Sequence, residues 1–125
     1  MFYYKVGERG LCMPNGMLNT INKLQKAINS RDGRVIIDHT QFYSEQMKAA
    51  IPKYTIKQAY WNEDKSRTES YEIYSSYSQL QTVLFLRDYW YKMNNWEIPT
   101  DNEQWNGMKA NYYNKHPNIA EEDRV

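Results

Sequence analysis

At 125 residues the chain has room for one hydrophobic core and not two, and its 15% of aromatic residues mark that core as ring-rich rather than aliphatic. A single cysteine, Cys12, excludes an internal disulfide, so packing must hold the fold, as is usual in a reducing compartment. The net charge of +1 hides an asymmetry: residues 1–60 carry nine Lys/Arg against four Asp/Glu, and residues 61–125 seven against eleven, giving either two charged faces or halves that interleave.

Met1–Val6 is an apolar, aromatic run that predicts a strand, followed by a loop over 7–16. Met17, Leu18, Ile21, Leu24 and Ile28 recur at helical spacing, and Ser30–Gly33 stops that helix. Arg34–Asp38 is a β-branched run suited to a central strand, parallel to the first. Thr40 is placed to cap a helix over 41–51, with Tyr43, Met47, Ala50 and Ile51 inward and Pro52 as its end. Residues 54–61 and 68–75 predict an antiparallel hairpin around Asn62–Arg67.

Ser76–Gln79 fits a capping box for a long, largely apolar helix running to about Asn95. Thr100–Glu103 fits a second, opening a helix that carries Trp105, Met108 and Tyr112 and ends by Pro117. The expectation is an α+β domain over 1–117, of order β-α-β-α-β-β-α-α with a mixed sheet of about four strands, and a mobile acidic tail over 118–125.

Ligands of open sheets bind at the carboxyl ends of parallel strands, which here gathers the Gly7–Gly16 loop and the segment after the second strand. Arg9, Gly10, Asn15, Asp38 and His39 are therefore the candidate ligand-binding set, for a phosphate held by amides and Arg9 with Asp38 and His39 as acid and base. The loop matches neither glycine-rich phosphate motif. One Cys and two His leave a zinc site dependent on carboxylates, and neither metal nor cofactor is expected. Tyr54, Lys57, Tyr60, Trp61, Lys65 and Arg67 suggest a stacking platform for single-stranded nucleic acid, opposed by Glu63, Asp64, Glu69 and Glu72 on the same hairpin.

Fourteen of the nineteen aromatic residues fall between Tyr54 and Tyr113, more than one small core needs. Tyr60, Trp61, Tyr91, Trp96 and Tyr113 lie outside the helix stripes and are the candidate interface residues. The expectation is a non-enzymatic protein-binding accessory or inhibitor that meets a host factor or a second copy of itself. In its richness in Asn, Lys and Tyr and its small size the chain resembles phage and mobile-element accessory proteins, the anti-CRISPR class included, in style rather than by any motif. A small nucleotide or nucleic-acid binding protein or phosphodiesterase is the alternative. No signal-peptide pattern opens the chain, and the longest apolar run, Val83–Leu86, is far short of the roughly 20 residues that span a bilayer. A cytoplasmic location is expected, in the host cell if the protein is phage-encoded, with no membrane partner.

Overall fold

A computed structural model describes residues 14–125. The elements are α1 (Pro14–Ser30), β1 (Val35–Ser44), β2 (Ala49–Asn62), β3 (Arg67–Ser76), α2 (Gln79–Met93), α3 (Asn102–Lys115) and a short 3-10 turn (Glu121–Asp123). The fold is α+β: among the described residues, three helices and a three-stranded antiparallel sheet of order β1-β2-β3. The strand expected at Met1–Val6, and with it the parallel pair, lies outside the described residues.

The main correction is at residues 41–51, where a hairpin replaces the expected helix. β1 runs on through Ser44, a turn with Lys48 at φ 53° reverses the chain, and β2 pairs back from Ala49↔Ser44 to Gln58↔Val35. Thr40 is therefore a strand residue rather than a cap. The helix-prone Gln, Glu, Lys and Ala of this stretch yield to the ladder, tertiary pairing overriding a weak local propensity. Pro52 is accommodated by the phase of that ladder. The Ala59 N–H donates to the Arg34 carbonyl, which makes every second pair from there a bonded one and leaves Pro52↔Gln41 unbonded. The Pro52 nitrogen thus faces the β3 side, where β3 pairs no farther than Tyr54↔Ser76, so no ladder bond is lost.

β3 carries an irregularity opposite Ile56/Lys57, where Tyr74 and Glu72 are paired and Ile73 is the extra residue. Both helix caps fall later than the capping boxes predicted. Ser78, not Ser76, accepts from the Gln81 N–H, because Ser76 is still paired in β3. Asp101 accepts from the Gln104 N–H, while the Thr100 N–H donates to the Gln104 side chain.

Ile21, Leu24 and Ile28 of α1, Val35 and Ile56 of the sheet and Leu86 of α2 form the aliphatic half of the core. α2 lies between two layers. Phe85 stacks on Tyr74 of β3, and the Tyr89 hydroxyl donates to Gln58 of β2, whose amide donates to the Gly33 carbonyl. On its other side Trp90 and Tyr91 meet Trp105 and Tyr112 of α3. Asn95, at φ 59°, and the Trp96 N–H bonded to the Tyr91 carbonyl turn the chain back so that Trp96 packs edge-on against Trp90.

Residues 118–125 lie against the helices. Ile119 and Val125 pack against the core, Lys26 pairs with Asp123, the Val125 N–H donates to the Tyr113 hydroxyl, and Arg124 lies over the Tyr113 ring.

Burial of the Tyr91 hydroxyl, which has no hydrogen-bond partner among the described residues, raises its pKa well above that of a free phenol, Arg87 opposing and Asp88 adding. Burial raises Tyr113 too. A raised folded pKa means stability that is whole below the unfolded phenol's value, about 10, and lost as pH climbs toward the folded ones. Tyr91→Phe is expected to raise stability by about 1 kcal/mol in urea unfolding and to weaken the alkaline loss of far-UV signal.

Candidate interaction surface

β2 is longer than either neighbour, and this decides what the sheet exposes. It pairs with β1 over Ala49–Gln58 and with β3 over Tyr54–Asn62, so the two hairpins project at opposite ends beyond the strand they lack. The turns are held locally: Ser44 Oγ accepts from the Met47 N–H, and the Asn62 side chain accepts from the Lys65 N–H. Alternation then assigns faces. Tyr54, Ile56 and Gln58, with Val35 and Ile37 across the ladder, turn toward the helices. Ile36, Asp38, Thr40 and Phe42 of β1, with Thr55, Lys57, Ala59 and Trp61 of β2, make the other face. α1 and α2 pack on the first face, and no element among the described residues covers the second.

That outer face has two apolar ends. At one, Ile36, Ala59, Trp61 and Thr68 line a shallow groove of about 430 Å³ with Asn29 and Arg34, and Trp61 is 51% exposed. At the other, Phe42, 45% exposed, lies against Tyr77, which Lys53 approaches from above. Between them Lys57 pairs with Asp38 at 2.7 Å. At the far hairpin Glu69 accepts from Asn62, Arg67 and Tyr60; the Asn62 bond, followed by Arg67, holds its carboxyl below the usual range. Residues 34–77 carry six Lys/Arg and six Asp/Glu, so the sheet has no net charge.

The structure divides the candidate interface residues. Tyr60 and Trp61 are exposed, on opposite faces of β2. Tyr91 and Tyr113 are buried core rings, and Trp96 is half-buried, packed against the core on one side and lining a cleft on the other. They escaped the helix stripes because α2 is packed on both sides and α3 meets it chiefly through rings. The nucleic-acid platform is likewise taken apart: Tyr54 is buried and Trp61 faces away from Tyr60.

The ligand-binding set is not assembled by the described residues. Asp38 and His39 are mid-strand rather than at a strand end and point to opposite faces, Asp38 toward Lys57 and His39 stacked 4.5 Å from Tyr54. Asn15 lies in the first turn of α1, and Arg9, Gly10 and Cys12 lie outside the described residues. Among the described residues no group of three or more His, Cys, Asp or Glu could hold a metal ion, and no helix is long and apolar enough to cross a membrane. A second cleft, of about 400 Å³, is lined by Arg31, Trp96, Lys115 and His116 among others. It sits where α1, α2 and α3 all end, so its cations answer the negative ends of three helices.

Sequence reasoning missed Ile36, Phe42 and Tyr77. The signal was present in the period-two pattern Ile36, Asp38, Thr40, Phe42, which a helix read from Gln41 cuts short. Comparison with protein-family models, curated proteins and solved structures finds no match for this chain.

Proposed function

We propose that this protein binds another protein through the outer face of its sheet, as an accessory or inhibitory factor that acts by occupying its partner's surface. The observation that supports this is where the surplus aromatics lie: of the eleven exposed large apolar side chains among the described residues, eight fall on the sheet and its turns between Ile36 and Tyr77, and Ile36, Phe42, Trp61 and Tyr77 of these lie on the outer face. Exposed Trp and Tyr are the side chains that anchor protein interfaces. The six-to-six charge balance favours a protein over a nucleic acid, since phosphate binding rests on an excess of Lys and Arg. The complementary surface is apolar with a rim of both signs.

The test compares proteins retained by the immobilised wild type and by a Phe42→Arg/Trp61→Arg variant from a nuclease-treated lysate. Both side chains are half exposed on the uncovered face, so the variant keeps its far-UV spectrum. A protein retained by the wild type and lost by the variant is expected, and Trp61→Ala alone should weaken its binding about 30-fold, the ~2 kcal/mol of an interface anchor. Equal retention by both, or retention seen only from a lysate left without nuclease, overturns the proposal.

A further inference from the structure

β1 and β3 are the two edges of the described sheet, and they are built differently. β3 carries the bulge and Arg67, Glu69 and Glu72, features that guard an edge against pairing with another chain. β1 pairs ten residues with β2 in unbroken register. It has no proline and no lysine, and its one acid, Asp38, is held by Lys57.

The ladder phase set by Arg34 and Ala59 turns the N–H and C=O groups of Val35, Ile37, His39, Gln41 and Tyr43 away from β2. The Asn29 side chain bonds both groups of Val35, at 2.7 and 2.9 Å, and closes the edge at its start. The same groups of the next four residues have no partner among the described residues.

We propose that this edge pairs with β1 of a second copy, antiparallel across a two-fold axis at Thr40. The inference does not rest on the outer-face reading. The four outward residues are symmetric about Thr40, so this register alone sets Ile37 against the partner's Tyr43 and His39 against the partner's Gln41, bonding all of them. It places an aromatic ring opposite a β-branched chain, a favourable cross-strand pair, and covers Tyr43, now 61% exposed. Asp38 opposes the partner's Phe42, so no like charges meet. The helices of both copies then lie on one side, and the two outer faces join into one.

Thr40 would face its own copy in an unbonded pair, whose Cα separation of about 4.5 Å suits a disulfide. In a Cys12→Ser background, Thr40→Cys is expected to give a disulfide-linked dimer under mild oxidation much faster than Phe42→Cys. Light scattering of the unmodified full chain over a concentration series should show twice the chain mass. Gln41→Pro removes only an outward N–H and should return the monomer with its far-UV spectrum kept, whereas Gln41→Ala should not. Should Gln41→Pro fail to fold, the cysteine pair still decides. A monomer throughout, equal crosslinking at the two positions, or dimerisation only after removal of residues 1–13 overturns the proposal, the last because the edge is then covered within one chain.

Discussion

Trp90→Ala is expected to cost about 3–5 kcal/mol, the range for emptying a buried indole site. Trp90 is fully buried, and its ring meets Tyr91, Trp96, Trp105 and Tyr112 at centroid distances of 5.1–6.1 Å, three of the four edge-on. Edge-on contacts between rings contribute beyond the area they bury. The loss is also directional, because α3 is held to α2 chiefly by these rings. A void at Trp90 should therefore release α3 and the tail resting on Tyr113 before the sheet opens. Urea unfolding should show a lower midpoint, and hydrogen exchange should show amides of Asn102–Lys115 losing protection while those of β2 keep it. Loss of protection in all elements together would mean that the ring cluster is inseparable from the aliphatic core.

Gly33→Ala is expected to cost about 3 kcal/mol by overpacking, with no cavity involved. A Cβ at this position would overlap the Ile28 side chain, stand 2.8 Å from the Ile28 carbonyl and 3.1 Å from the Met93 sulfur. The carbonyl cannot yield, because it accepts the Gly33 N–H at 3.0 Å and ends α1. Nor can the chain move outward, since the Gly33 carbonyl accepts from Gln58, which in turn holds Tyr89. Among the described residues nothing lies within 4 Å of a Cβ at Gly16, so Gly16→Ala is the control and should raise the thermal midpoint slightly, the ordinary gain of Ala over Gly within a helix. A Gly33→Ala protein as stable as the control would show that α1 and α2 separate easily at this crossing.

The identity of most elements was legible in the residues. Ile21, Leu24 and Ile28 fixed the buried stripe of α1, and the hairpin around Asn62–Arg67 formed where turn chemistry and β-prone arms predicted it. Such signals are local, because a helical stripe or a turn is specified within a few residues of itself. The excess of rings between Tyr54 and Tyr113 was equally plain from composition.

What needed the tertiary structure was every choice between two partners. Gln41–Ile51 has helix-forming composition and became a hairpin because β2 offered it a ladder, and Pro52 fits only because β3 stops short of it. Tyr91, Trp96 and Tyr113 are chemically the same kind of side chain as Tyr60 and Trp61, and no property of their neighbours in sequence sorts them. The second layer, α3 against α2, takes the first three inside, while an open sheet face leaves Trp61 out. Burial is a property of the whole packing arrangement, so the sequence by itself determined how many rings this protein has to place, and only the assembled layers decided which of them stay exposed.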